Sequence, residues 1–485
     1  MRRPEPQIVQ RYLWAAAVIL FISFTLRIYH LGQSSLRGDE AFAIRYWAQS
    51  PAVVLNTLAD HEPHPLGTFF SFWAWKSLVG DSEFAIRMLP LLLNVAGAAG
   101  MIAFGRRLTG SHAVGLTAGF LWAINPDLIW HSQDARNYAM WAGISVISLW
   151  LLLRVSDRPR RLDWALYILA VTTGLYIFFL EAAIVVVHGL YVLIFRRKVF
   201  WQWAAAMLIV LVLLIPWFAQ VWALAHSGYS GTAGRADLSA LFTQFFPTLV
   251  LGEVADVSSP LLQIALLAGF AACLVTMHRW QGRSAMVSVL LLAIPALILV
   301  VAATRLDVFR PRYLVAVTPA LLIVPAAIDS IQPRPLSSKG RGASLLRAAP
   351  LVGLAAICVI VLITYYGSYT KAPDWRGLRE YLLAAATAED AVIMVPGDAS
   401  GATDPAFNYY YNGPADIIVL PYPGVDTRQA AAQALAKHRA VYLIPVGNLT
   451  GQVAEALRAD GTLVETQQAG SFAVQKFQVL SKVQN

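Results

Sequence analysis

The sequence predicts a polytopic α-helical membrane protein of about eleven spans, followed by a small C-terminal α/β domain. Three observations carry this. The chain of 485 residues is 58% hydrophobic and only 13% charged, with a mean hydropathy of +0.57, whereas soluble domains are about 25% charged. Apolar segments approaching the ~20 residues needed for one crossing recur from Tyr12 to Tyr366. After Tyr366 the charge density rises, and short apolar runs alternate with helical stretches.

The candidate spans are 12–30, 84–104, 112–126, 137–153, 163–179, 182–195, 201–219, 261–277, 285–302, 313–329 and 348–366. The first has a basic flank (Arg2, Arg3, Arg11) but no small-residue cleavage site, so it is expected to be retained as a span. Basic residues cluster on alternate loops: Arg106-Arg107, Arg154 with Arg158, Arg160 and Arg161, Arg196-Arg197-Lys198, Arg279 with Arg283, and Arg334 through Arg347. The positive-inside rule places those loops and the amino terminus in the cytoplasm, and the loop around Asp39 and the C-terminal domain outside. The net charge of +9 then reads as a topology signal, and no nucleic-acid partner is expected. Cys273 and Cys358 both lie in apolar segments, which argues against a disulfide framework and a cysteine metal site.

The domain organisation follows. Residues 1–366 form the membrane domain, with a long external loop at 31–82, and residues 367–485 form the α/β domain. In the latter, strand-like runs at 391–395, 417–420 and 440–445 alternate with helical stretches at 375–386, 427–436 and 451–459, predicting a largely parallel sheet. No Gly-rich loop follows a strand, so no nucleotide site is expected, and the domain reads as a structural or acceptor-docking unit. In the 31–82 loop, 41–58 and 66–79 are expected to be helical. The second is dense in aromatics and suited to headgroup depth.

The first loop carries the candidate chemistry. Asp39-Glu40 places two carboxylates just beyond the first span, where a lipid phosphate and a water-borne substrate can both reach. His61-Glu62-Pro63-His64-Pro65 holds polar side chains on a proline-bound turn. Its spacing is not a known metal motif, so no cofactor is expected and a divalent metal there is the less favoured alternative. Asp39 could also simply cap a following helix. Glu83 and Arg87 stand one helical turn apart at the outer end of the second span. Glu181 is an acid at a span end, with a polar-cavity role or a water-exposed turn equally open, and His188 reads as a core residue.

Arginines in short external loops run against the topology rule and need another reason. Arg136 precedes Tyr138 at the start of the fourth span, and Arg312 adjoins Tyr313 at the start of the tenth. A guanidinium fork matches phosphate oxygens, so the two arginines are candidates for a phosphate site, and the two tyrosines could serve beside them or as easily be interfacial belt residues. Nucleotide-activated sugars are cytoplasmic, so a sugar transferred outside must arrive on a lipid phosphate. Single displacement at its anomeric carbon needs one base for the acceptor proton and cations for the departing phosphate. A phosphate monoester, with a second pKa near 6, leaves without the general acid that an inverting glycosidase requires.

Taken together the motifs resemble the C-type glycosyltransferases of the protein O-mannosyltransferase and lipid A aminoarabinose transferase superfamily. The matching elements are Arg27, Asp39-Glu40, His64-Pro65-Leu66 ahead of an aromatic helix, and Ser82-Glu83-Phe84-Ala85-Ile86-Arg87 with Pro90. Gln133-Asp134-Ala135-Arg136-Asn137-Tyr138 and Arg312-Tyr313 with Pro319 complete them. The resemblance covers roughly residues 12–330. It implies the C-type fold and inverting transfer from a polyprenyl-monophosphate sugar to an acceptor hydroxyl on protein, lipid or glycan. It assigns Asp39 as general base with Glu40 assisting, and Arg136 and Arg312 at the donor phosphate; beside these, Tyr138 and Tyr313 are candidates at the phosphate, and His64, Glu62, Arg87 and Glu181 candidates at the substrate. Two departures stand out: Leu66-Gly67 follows His64-Pro65 where relatives carry Pro and an aromatic pair, and Phe179-Leu180-Glu181 replaces a His-Tyr pair. The tail, with Asp374-Trp375-Arg376, is similar to those of prokaryotic relatives, which implies a cell inner membrane enzyme of envelope glycosylation. The rival reading is a transporter or flippase of lipid-linked sugars. Transporters place polar residues on broken helices at the midplane, whereas here the spans read as mostly uninterrupted, with the polar groups at one face.

Overall fold

A computed structural model describes residues 6–47, 50–53, 55, 65–226, 228, 231, 234–328, 341–394, 404–420, 427–446 and 450–479. They fall into two compact units, one of Met1–Leu31 with Gln49–Tyr369 and one of Gly32–Ala48 with Thr370–Asn485. The segment after the first helix is thus grouped with the C-terminal residues rather than with the membrane helices.

In chain order the main helices up to residue 367 are α1 (Pro6–Ile28), α2 (Gly38–Trp47), α3 (Leu66–Val79), α4 (Glu83–Thr109), α5 (His112–Ile124), α6 (Pro126–Ser132), α7 (Tyr138–Asp157), α8 (Arg161–Ile177), α9 (Glu181–Phe195), α10 (Phe200–Leu213), α11 (Ile215–His226), α12 (Phe246–Leu251), α13 (Pro260–Ala303), α14 (Thr318–Ala326) and α15 (Arg341–Gly367). Among the described residues six helices are long and apolar enough to cross a membrane: Val9–Ile28, α4, α7, the two halves of α13, and Ala349–Gly367. Leu238–Leu251, Pro311–Ala326, α5 and α9 are apolar but shorter.

Three expected spans differ from plain separate helices. The 201–219 segment is a bent pair, α10 and α11, that turns by 62°. Pro216 explains the break, because it has no N–H for the preceding turn and its ring collides with the carbonyl four residues back. Spans 261–277 and 285–302 run on as α13, interrupted only at Gln281 (φ −143°, ψ 58°), so the expected basic loop is a single break between Arg279 and Arg283.

Arg27 ties the first unit together. Its guanidinium is buried and donates to Asn94 Oδ1 (2.9 Å) and to the carbonyls of Ser23 (3.1 Å), Ala123 (2.9 Å) and Trp122 (3.0 Å). A buried charge is tolerated only when its donors are met, and here they join α1, α4 and α5. Asn94 extends the tie: its amide donates to the Ala139 carbonyl at 3.2 Å, and its own carbonyl accepts from Trp122 Nε1 at 3.0 Å.

The second unit holds α16 (Trp375–Ala385), β1 (Ala391–Met394), α17 (Pro405–Tyr410), β2 (Asp416–Val419), α18 (Thr427–Lys437), β3 (Val441–Ile444), α19 (Thr450–Asp460), β4 (Gly461–Ala469) and β5 (Phe472–Val479). The sheet order is β2-β1-β3-β5-β4. β1 pairs in parallel with β2 and β3, whereas β5 is antiparallel to both β3 and β4. The apolar runs of β1 and β3 are fully buried. Leu435 of α18 and Val453 and Leu457 of α19 close over Val441, Leu443 and Phe477. The β4–β5 hairpin turns at Gly470, whose φ of +59° favours glycine.

An ion pair between the buried Asp390 and the half-exposed Arg439 joins the start of β1 to that of β3. Asp390 accepts from Arg439 Nε (3.1 Å) and Nη2 (2.9 Å) and from the Thr387 N–H (2.8 Å) and hydroxyl (2.9 Å). Burial by itself raises this carboxyl, but the Arg439 and Thr387 hydrogen bonds outweigh it and hold it below the ordinary carboxylate range. The stabilisation is therefore present above about pH 4 and is lost as the pH falls through the depressed folded value. Asp390→Asn should cost about 1–3 kcal/mol near neutrality and flatten the acid sensitivity of β1 and β3. Amide hydrogen exchange of those strands across the acid range checks this. Equal protection in wild type and variant at neutral pH contradicts it.

Candidate active site

The carboxylates come from the start of α2. Glu40 is buried and its Oε2 accepts from the Arg37 N–H at 3.0 Å, which satisfies a donor at the helix start. The helix begins at Gly38, so Asp39 lies in its first turn instead of preceding it. Its side chain is 44% exposed and 3.4 Å from Arg37 Nη2. One member of the acidic pair thus fixes the backbone, and the other is presented to solvent. His61, Glu62 and His64 lie outside the described residues.

The arginine and tyrosine candidates belong to the other unit. Asn125 Oδ1 caps α6 by accepting from the Leu128 N–H at 2.8 Å. The chain then turns through Gln133–Asn137 into α7, where Asn137 Nδ2 donates to the Ile177 carbonyl at 2.9 Å and pins this turn to the end of α8. Gln133 fixes its other side: Nε2 donates to the carbonyls of Arg27 (2.8 Å) and Tyr29 (2.7 Å), and Oε1 accepts from Tyr365 at 2.5 Å. The turn holds Arg136, 9% exposed, and delivers Tyr138, which is 1% exposed.

Arg312 enters from a 3-10 turn, Pro311–Val317. Its guanidinium carbon lies 5.3 Å from the centroid of Tyr138 and 5.9 Å from that of Tyr313. The two tyrosine rings are 6.2 Å apart, and Phe178 packs against both at 5.6 and 5.5 Å. The Tyr138 hydroxyl is buried with no hydrogen-bond partner among the described residues. The fold therefore brings Tyr138, Arg312 and Tyr313 into one cluster from segments over 170 residues apart in sequence, with Arg136 on the adjoining turn. Such a cluster offers a cation and a phenolic donor to an anion.

Arg87 and Glu181 have different surroundings. Arg87 is buried and its Nη1 donates to the Leu31 carbonyl at 3.0 Å, closing the chain after α1. Glu181, also buried, accepts from Trp141 Nε1 (2.8 Å), the Ser145 hydroxyl and the Ser148 hydroxyl (3.2 Å), which join α9 to α7. Both behave as internal anchors. The Leu66-Gly67 departure also has a packing reason: a Cβ at Gly67 would come within 2.6 Å of Tyr176 Cβ and 2.7 Å of its carbonyl oxygen.

A buried pair beside the cluster escaped the sequence reading. Asp127 and His131, one turn apart on α6, approach to 3.6 Å, and the His131 ring lies 5.4 Å from Tyr138. Burial first, and then the charge of Glu253, push the Asp127 carboxyl well above its ordinary range. Their i, i+4 spacing was the available signal.

Residues 63–222 match the family model of the dolichyl-phosphate-mannose-protein mannosyltransferases. Over almost the whole length the structure is similar to ArnT from Cupriavidus metallidurans bound to undecaprenyl phosphate, with 15% identity, 99% of each chain covered and a TM-score of 0.58. The archaeal oligosaccharyltransferase AglB from Archaeoglobus fulgidus, in complex with an inhibitory peptide and a dolichol-phosphate, matches with 12% identity and a TM-score of 0.54, over 97% of this chain and 74% of its own. The arabinofuranosyltransferase AftD from Mycobacteria matches with 14% identity and a TM-score of 0.54, over 98% of this chain and 40% of AftD. No curated protein sequence matches. The fold defines the class: this is a multi-span membrane protein with the C-type glycosyltransferase fold.

If the cluster binds a phosphate ester, Tyr138→Phe should leave thermal stability unchanged or slightly higher, because the lost hydroxyl has no partner among the described residues. It should weaken undecaprenyl phosphate binding about tenfold, and Arg312→Ala about 10- to 100-fold. Native mass spectrometry in detergent, paired with thermal unfolding, measures both. Unchanged lipid-phosphate affinity in the two variants removes the cluster from donor binding.

Proposed function

We propose that this protein is an integral-membrane glycosyltransferase. It moves a sugar from a polyprenyl-monophosphate donor to an acceptor hydroxyl on the extracytoplasmic side, by inverting single displacement. The observation that carries this reading is the cation and buried phenol of Arg312 and Tyr138, a ready partner for a lipid phosphate. The lipid phosphates bound to ArnT and AglB, proteins of like fold, support it.

Asp39 acts as the general base. Its exposed carboxylate takes the proton of the acceptor hydroxyl as that oxygen attacks the anomeric carbon. The bond from that carbon to the phosphate oxygen breaks, and its electron pair leaves with the phosphate. The leaving group has a second pKa near 6, so it departs without a proton donor. Arg312 and Arg136 offset the charge gathering on it, with Tyr138 donating to one of its oxygens and Tyr313 backing the Arg312 plane. Glu40 contributes by fixing the start of α2. Arg87, Glu181, His64 and Glu62 are assigned to the substrate, Arg87 and Glu181 while also tying the scaffold through the Leu31 carbonyl and α7. The amino terminus lies in the cytoplasm of a cell with this inner membrane, and the C-terminal unit lies outside. The acceptor is a protein, lipid or glycan hydroxyl.

Asp39→Asn keeps the size and removes the proton acceptor. Transfer from polyprenyl-phosphate sugars by the purified variant should fall by about 10²- to 10⁴-fold, with undecaprenyl phosphate affinity within about twofold of wild type. Mass spectrometry of a panel of donors and acceptors reads the rate. A wild-type rate in the variant refutes the base assignment.

A further inference from the structure

The chain that leads into α2 has little secondary structure of its own to satisfy it, yet its backbone groups are met by residues more than 300 positions away. Arg376, in the first turn of α16, donates through Nη2 to the carbonyls of Gly32 (2.9 Å) and Gln33 (3.2 Å). The Leu36 N–H donates to the Tyr410 hydroxyl, at the end of α17, at 2.8 Å. Gly38, the first residue of α2, faces the Asp404 carboxylate, which would stand 3.4 Å from a Cβ placed there. Asp404 in turn caps α17 by accepting from the Ala406 N–H at 2.8 Å. α2 itself packs along α17. Contacts so distant in sequence cost loop-closure entropy, and a passive appendage has no need of them.

We infer that the C-terminal α/β unit is a positioning element for the acid-bearing helix, in which Arg376 and Tyr410 hold residues 32–38 so that Asp39 meets the acceptor hydroxyl in one geometry. This rests on the assignment of Asp39 as base and adds a task for the soluble unit. A general base must lie within hydrogen-bond reach of the proton it takes, and positional errors near 1 Å can cost about 10²-fold. Asp39 sits on a ten-residue helix, too short to be stable alone. Its direction therefore depends on what the flanking backbone is tied to. Arg376 ties the approach, Tyr410 the residue two before the helix, and Glu40 the helix start itself.

The test uses the full-length protein and three variants, Arg376→Ala, Arg376→Lys and Tyr410→Phe. Amide hydrogen exchange of residues 32–47 should rise in Arg376→Ala and Tyr410→Phe while β1, β3 and β5 keep their protection. In the same variants kcat should fall about tenfold or more, with the donor KM within about twofold, and Arg376→Lys should recover part of the loss. A merely structural role would lower the melting temperature and expose the sheet amides too. Unchanged exchange at 32–47 overturns the docking. Raised exchange with an unaltered kcat overturns the positioning role while leaving Asp39 as base. Should Asp39→Asn itself retain full activity, the base assignment fails, whatever the exchange data say.

Discussion

The helical unit depends on one buried cation. Arg27 stands in an apolar bundle, where a guanidinium is costly unless its donors are met. It meets four acceptors on α1, α4 and α5. The backbone carbonyl of the same residue accepts from Gln133, which also binds Tyr29 and Tyr365. That second tie sets the turn carrying Arg136 and delivering Tyr138. Removing the cation would take the donor from Asn94 Oδ1 and break the ties from α1 to α4 and α5, so the bundle and the turn held by the Arg27 carbonyl are coupled.

Polar groups inside this unit divide into closed and open sets. Glu181 has three donors for its two oxygens, and Asn94 uses its amide, its side-chain oxygen and its backbone carbonyl. Such groups specify how helices meet, and burial costs them little because they are satisfied. The Tyr138 hydroxyl is different, since among the described residues it is buried without a partner while a guanidinium lies over its ring. An unsatisfied hydroxyl costs about 1–3 kcal/mol, which a bound acceptor oxygen recovers. The contrast separates scaffold from site better than residue type does.

In the C-terminal unit the same accounting applies to the chain that leads into α2. The carbonyls of Gly32 and Gln33 and the N–H of Leu36 are met by Arg376 and Tyr410. The acidic pair therefore divides its labour: Glu40 is spent on the backbone, and Asp39 keeps its carboxylate toward solvent. A like pair read only as two acids hides that difference.

The sequence by itself determined where apolar runs form helices and strands. The runs at 391–395, 417–420 and 440–445 became β1, β2 and β3 within a residue or so, because short β-branched stretches bounded by turns carry their own signal. The β4–β5 hairpin was missed because β4 is largely polar and exposed, which leaves Gly470 as its main mark. The break at Pro216 was visible as a proline but was masked by the hydropathy around it. The arginine–tyrosine cluster was legible as residue types at helix starts, since arginines in short loops expected to be external run against the positive-inside rule and ask for a reason. Tertiary structure alone decided that Arg312 lies over Tyr138, that Arg87 and Glu181 turn inward to anchors, and that Gly32–Ala48 sides with the C-terminal unit. Those outcomes depend on which distant group satisfies a buried donor or acceptor, and local hydropathy and spacing carry no record of that choice.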